Sequence, residues 1–115
     1  MNETCGLAEQ CCAACTPKTP RLTWPQTKKF LTEVPLWRYE FSRGVGTLVR
    51  HFRFNRFPDA IDFVNRVAII AEAERHHPDI KIENYNQVIL IMTTHAINDL
   101  SENDFIMAAK IDVIV

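Results

Sequence analysis

No apolar run in this chain approaches the roughly 20 residues of a membrane-spanning helix, so no transmembrane helix is expected. Charge of one sign is missing too. Thirteen Lys and Arg face fourteen Asp and Glu, a net charge of −1, which is not the basic footprint of a nucleic-acid binder. The N-terminus lacks a basic segment leading into an apolar stretch, so no secretory signal is expected. There is no internal repeat, no low-complexity tract and no H-E-x-x-H zinc spacing. What remains, 47% apolar and 23% charged over 115 residues, is the profile of one soluble globular domain. That length buries a real core without staples. A cytoplasmic enzyme or binding domain is the default expectation.

All four cysteines fall in the first fifteen residues: Cys5, Cys11, Cys12 and Cys15. Cys12 and Cys15 form a C-x-x-C, which can ligate zinc or cycle as a disulfide. A zinc site needs a second ligand pair at a distance, and only Cys5 and Cys11 lie near. No strand precedes the motif, as a thioredoxin-like site requires. Residues 1–20 show no sustained periodicity and end in Thr16, Pro17, Lys18, Thr19 and Pro20, so they read as a flexible cysteine-bearing leader with reduced thiols. The folded domain is expected over residues 21–115.

Thr23 offers an N-cap with Gln26 three residues on and Pro25 in the first turn, opening a short amphipathic helix that ends near Pro35. Leu36 to Phe41 alternates Trp37, Tyr39 and Phe41 against Arg38 and Glu40, a half-buried strand. Gly44 and Gly46 supply a turn, and Leu48 to Phe54 forms the second arm of a hairpin with Leu48, Phe52 and Phe54 on one face. From Pro58 the period turns helical. Ala60, Phe63, Val64, Val67, Ala68 and Ala71 make a core stripe, Asp62 and Arg66 can pair outside it, and Pro78 stops the helix. Ile80 to Glu83 reads as a third strand, Asn84 to Asn86 as a turn, and Gln87 to Thr94 as a central fourth strand apolar on both faces. Ser101 with Asp104 caps a last helix carrying Phe105, Ile106, Ala109 and Val113. The order α-β-β-α-β-β-α gives an α+β domain: a four-stranded antiparallel sheet with helices packed on one face.

Three of the four histidines lie between Glu72 and Asp104. Unperturbed histidine titrates near about 6.5, so a segment that gathers imidazoles can move protons near neutral pH. Glu72 and His76 stand four apart at a helix end, a spacing that lets the carboxylate fix one imidazole nitrogen. His95 ends the central strand, where the pleat fixes its direction. Adjacent histidines do not readily share one metal, so no metal is expected. His51, on a strand's polar face, reads as surface. The residues alone support an acid–base site of unstated substrate.

The spaced set Glu72, His76-His77-Pro78, Tyr85, His95 and Asp104 resembles the signature of pterin-4a-carbinolamine dehydratases. Arg50, Phe52, Phe54, Phe57 and Ala60 before the helix, Trp37 in the first strand, and Thr94-His95 followed by Leu100-Ser101 match as well. The resemblance covers roughly residues 22–115. It departs at Asp99, where the family usually has glycine; aspartate tolerates left-handed geometry better than most residues. The cysteine-bearing leader is similar to leaders in bacterial members.

The resemblance implies a hydro-lyase that dehydrates 4a-hydroxytetrahydrobiopterin to quinonoid dihydrobiopterin and water, in pterin recycling after aromatic amino-acid hydroxylation. It implies no metal and no organic cofactor. His76 and His95 would serve as acid–base residues, with Glu72 orienting His76. His77, Pro78, Trp37, Thr94, Ala96 and Ile97 would contact the pterin, and Tyr85 and Asp104 would be structural members of the motif. A homodimer or homotetramer and a functional link to a hydroxylase are also implied; neither membrane nor nucleic acid is an expected partner. The alternative is a non-catalytic pterin-binding module, or a dimerisation cofactor of the transcriptional coactivator type.

Overall fold

The alternating stretch around Trp37 to Phe54 becomes a hairpin whose arms differ in length. In the computed structural model, which describes residues 6–115, β1 spans Arg38–Ser42 and β2 spans Val45–Arg53. They pair antiparallel from Arg38↔Val49 to Ser42↔Val45. The two-residue turn is Arg43–Gly44, with φ of 54° and 78°, the backbone twist that matches right-handed strands. Gly46, expected in the turn, instead lies buried inside β2.

Thr23 and Gln26 cap helix α1 (Trp24–Leu31) reciprocally: Thr23 N–H donates to Gln26 Oε1 at 2.8 Å and Gln26 N–H to Thr23 Oγ1 at 3.3 Å. The helix stops at Leu31, short of Pro35. Helix α2 runs Phe57–Glu74 and buries Ala60, Phe63, Val67 and Ala71. Ala68, placed in the core stripe by the pattern, is exposed, and Ile70 packs on the core instead. Asp62 and Arg66 do not pair; Arg56 meets Asp59 at 3.3 Å.

Strands β3 (Asp79–Glu83) and β4 (Gln87–Met92) complete a sheet of order β1-β2-β4-β3, all antiparallel. Val88, Leu90 and Met92 on β4 face the same side as Leu48 and Phe52 on β2 and join one core with α2 and helix α3 (Glu102–Ile114). The expected α+β architecture with helices on one face is the one observed. The opposite face is apolar at its centre, where Val49 pairs with Ile91, and charged at its edges.

Two side chains tie the sheet to α3. Trp37 Nε1–H donates to Asp112 Oδ1 at 2.8 Å, and Arg50 meets the same oxygen at 2.5 Å while lying 4.3 Å over the Phe52 ring.

The leader departs most from the sequence reading. Cys5 lies outside the described residues. From Gly6 onward the chain packs down: a 3-10 turn at Leu7–Glu9 buries Leu7, and Lys110 Nζ donates to the Ala8 carbonyl at 2.8 Å. Leu7 supplies an apolar anchor with no periodic neighbours, so no pattern announces it.

Asp99 sits against Gly46, although the residue with positive φ in that loop is Asn98, at 53°. A methyl group on Gly46 would strike the Asp99 carboxylate and crowd the Tyr39 ring at 3.3 Å. Gly46→Ala is therefore expected to cost about 1–3 kcal/mol, as overpacked sites do. In an Asp99→Gly background the cost should shrink. Equal losses in both backgrounds, read from urea unfolding, would refute the contact.

Candidate active site

The site forms where α2 ends, β4 ends and α3 begins. At the end of α2, Arg75 takes the left-handed conformation, φ 55° and ψ 39°. Its N–H bonds to the Glu72 carbonyl, and the His76 N–H reaches the Ala71 carbonyl at 3.1 Å. This is a Schellman closure. It ends the helical register before His76, so the four-residue spacing from Glu72 does not bring the two together. His76 turns inward and is buried; Glu72 stays outside.

The expected pairing is accordingly exchanged. Glu72 Oε1 meets His77 Nε2 at 3.0 Å, both exposed, whereas His76 Nε2 meets Asp104 Oδ1 at 2.7 Å. Asp104, read as a structural member of the motif, is the carboxylate that orients His76. It is 0% exposed, and its Oδ2 accepts from Thr94 Oγ1–H at 2.8 Å and from Ser101 N–H at 2.9 Å. Ser101 Oγ lies 2.7 Å from Thr94 Oγ1 and extends the network. A buried carboxylate is tolerable when its lone pairs are filled in this way. With Asp104 ionised, the His76 proton sits on Nε2 and leaves Nδ1 as an acceptor.

His95 is not on the strand. β4 ends at Met92, Thr94 N–H bonds back to the Asp99 carbonyl at 3.0 Å, and His95–Ile97 form a 3-10 turn. The turn exposes His95 and Ala96 and buries Ile97. His95, Ala96, His76, His77, Thr93, Arg75 and Cys15 line one cleft of about 180 Å³. The three motif histidines therefore share a cavity.

Other expected site residues lie elsewhere. Trp37 is 3% exposed and lies in the core, edge-on to Phe52 at 6.1 Å; its N–H is used by Asp112, so it braces the fold rather than lining the cleft. Thr94 is fully buried and bonds to Asp104 rather than lining the cleft. Pro78 and Ile97 are not among the lining residues. Tyr85 is exposed in the turn between β3 and β4, with φ of 58°. Among the described residues no cluster of three or more His, Cys, Asp or Glu could hold a metal, and no helix is long and apolar enough to cross a membrane. A larger groove of about 370 Å³ lies between the Leu7–Glu9 turn and helices α2 and α3. Its titratable residues, Glu9, Glu74 and Lys110, include no histidine.

Sequence reasoning missed Cys15 and Asn103. Cys15 Sγ lies 3.6 Å from His76 Nδ1, and Asn103 Nδ2–H donates to that sulfur at 3.2 Å. Only the C-x-x-C motif hinted at Cys15, and nothing in the local pattern singled out Asn103.

Residues 20–114 match the family model described as Pterin 4 alpha carbinolamine dehydratase. A protein of Saccharophagus degradans, provisionally named a pterin-4-alpha-carbinolamine dehydratase, is 42% identical over 92% of this chain and 93% of its own. One of Methylococcus capsulatus with the same provisional name is 43% identical over 96% and 94%. Among solved structures, a transcriptional coactivator/pterin dehydratase from Brucella melitensis superposes with a TM-score of 0.73 at 32% identity, covering 83% of this chain and 98% of that one. A pterin dehydratase-like protein described as a RuBisCO assembly factor of the alpha-carboxysome shares the fold, at a TM-score of 0.57 and 20% identity over 68% and 87%. By sequence and by fold, the chain belongs to the pterin 4 alpha carbinolamine dehydratase family.

Proposed function

We propose that the chain dehydrates 4a-hydroxytetrahydrobiopterin to quinonoid dihydrobiopterin and water, with the histidines of the cleft moving the protons. The observation that carries this reading is the grouping of His76, His77 and His95 in one cleft, with His76 held by a buried, fully bonded carboxylate. The reaction removes a proton from a ring nitrogen and delivers one to the departing 4a-hydroxyl. His76, with Nε2 fixed by Asp104, takes the first proton on Nδ1, the nitrogen that Cys15 Sγ otherwise faces at 3.6 Å. His95, exposed on the 3-10 turn and lining the same cleft, is available for the second. His77, steadied by Glu72, contacts the pterin, and Ala96 lines the same wall. No step requires a metal or an organic cofactor. In this reading the protein acts in the cytoplasm as a homo-oligomer, downstream of an aromatic amino-acid hydroxylase.

The test is the decay of enzymatically generated carbinolamine with and without the protein. Acceleration by wild type, and a loss of about 10²–10⁴-fold in His95→Gln, is expected from the usual worth of a general acid or base. Decay unchanged by wild-type protein would sink the proposal.

The second reading is a non-catalytic role, favoured by the coactivator designation of the Brucella melitensis relative. Binding of reduced pterins without dehydration would support it.

A further inference from the structure

Residues 11–15 are held at the two helix ends that assemble the site. Cys12 N–H donates to Glu74 Oε1 at 2.7 Å, at the end of α2. Asn103, buried in the first turn of α3, clamps Ala13 from both sides: Ala13 N–H donates to Oδ1 at 3.0 Å and Nδ2–H to the Ala13 carbonyl at 2.7 Å. This clamp sets Cys15, exposed two residues later, against the site. Its sulfur faces His76 Nδ1 at 3.6 Å on one side and the Asn103 amide at 3.2 Å on the other. His76 is in turn anchored on Asp104 at 2.7 Å. A thiol, an imidazole and a buried carboxylate stand in series, the arrangement that activates a sulfur nucleophile.

We infer that Cys15 is a reactive thiol, a modification site for small hydroperoxides, with His76 as its base and Asp104 orienting that base. The balance is simple. His76 Nδ1 takes the thiol proton, and the sulfur attacks one peroxide oxygen. A sulfur–oxygen bond forms as the oxygen–oxygen bond breaks. The departing hydroxide or alkoxide takes the proton back from the imidazolium and leaves as water or alcohol. Sulfur loses two electrons, the peroxide gains two, and the product is a sulfenic acid. Asn103 Nδ2–H points at the sulfur and supports the negative charge it carries during attack.

The neighbouring thiols do not share this setting. Burial, and after it the Glu74 carboxylate, pushes the Cys12 thiol up to about 12, so it stays protonated. Cys11 is exposed and makes no side-chain hydrogen bond among the described residues. It is a built-in reference for an ordinary surface thiol. Because Cys15 lines the cleft with His76, His77 and His95, its sulfenic oxygen would stand where the pterin is proposed to bind. This second consequence, closure of the pocket, rests on the dehydratase reading; the reactivity does not.

The test treats the full chain with hydrogen peroxide and dimedone and locates the adducts on Cys11 and Cys15 by fragmentation mass spectrometry. Native protein should label Cys15 about tenfold or more faster than Cys11, a conservative figure for assistance by a positioned base. The ratio should collapse toward one in guanidinium chloride, and His76→Gln should bring Cys15 down to the Cys11 rate. Equal labelling of the two thiols in native wild type, which depends on no variant folding, overturns the inference. In the turnover assay, peroxide should inactivate wild type, dithiothreitol should restore it, and Cys15→Ser should be insensitive to peroxide whatever its basal rate. Turnover that persists after complete Cys15 oxidation overturns pocket closure alone. Selective Cys15 labelling in a protein with no turnover overturns the dehydratase reading and upholds the thiol.

Discussion

Asp104→Ala is expected to lower stability by about 3–5 kcal/mol, the usual loss when one partner of a buried charged pair is removed. The carboxylate accepts three hydrogen bonds with no exposure to water. Its loss strands the Ser101 N–H and the buried His76 Nε2–H and leaves the Thr94 hydroxyl with Ser101 Oγ alone. Each unsatisfied buried group costs about 1–3 kcal/mol before relaxation. Asp104→Asn is only a partial remedy, because its one acceptor oxygen can serve His76 or the Thr94–Ser101 pair while its NH2 faces the other as a donor. Urea unfolding should show a lower midpoint with little change in slope. A loss below about 1 kcal/mol would mean that water replaces the carboxylate without penalty, contrary to the burial described.

His76→Gln is expected to leave the fold nearly intact and to lower carbinolamine turnover about 10²–10⁴-fold. The glutamine amide can still donate toward Asp104, so the network keeps a partner. No amide nitrogen can take and return a proton near neutral pH, so the proposed reaction would lose its base. The effect should fall on kcat rather than KM. His77→Ala should do the reverse and weaken KM, because His77 is exposed at the rim and steadied only by Glu72 at 3.0 Å. A His76→Gln enzyme within about tenfold of wild type would remove His76 from the proton path.

Local chemistry made much of the fold legible. The Thr23–Gln26 cap, the period-2 alternation of the hairpins and the apolar stripe of α2 are short-range signals, and they led to the observed architecture. Ser101 and Asp104, three residues apart, announced the start of α3, although not that the same carboxylate would serve His76. The errors share a cause. Pairing Glu72 with His76 requires continuous helix, but Arg75 adopts a left-handed conformation that arginine does not advertise. The family resemblance implies Trp37 at the pocket, whereas Asp112, distant in sequence, holds it in the core. The leader read as unstructured because its anchors, Glu74, Asn103 and Lys110, lie far along the chain. Contacts of that kind leave no periodicity.

The sheet order has a consequence for how the protein comes into being. β1 with β2, and β3 with β4, are hairpins between sequence neighbours, whereas β2 meets β4 across the whole of α2 and β3. Local pairs close quickly, and long-range pairing must first overcome the entropy of a large loop. The network of His76, Thr94 and Asp104 draws on α2, on the chain leaving β4 and on α3, so neither hairpin contains it. A nascent chain with both hairpins formed would still lack a site, and competence should appear only with the slowest step of folding.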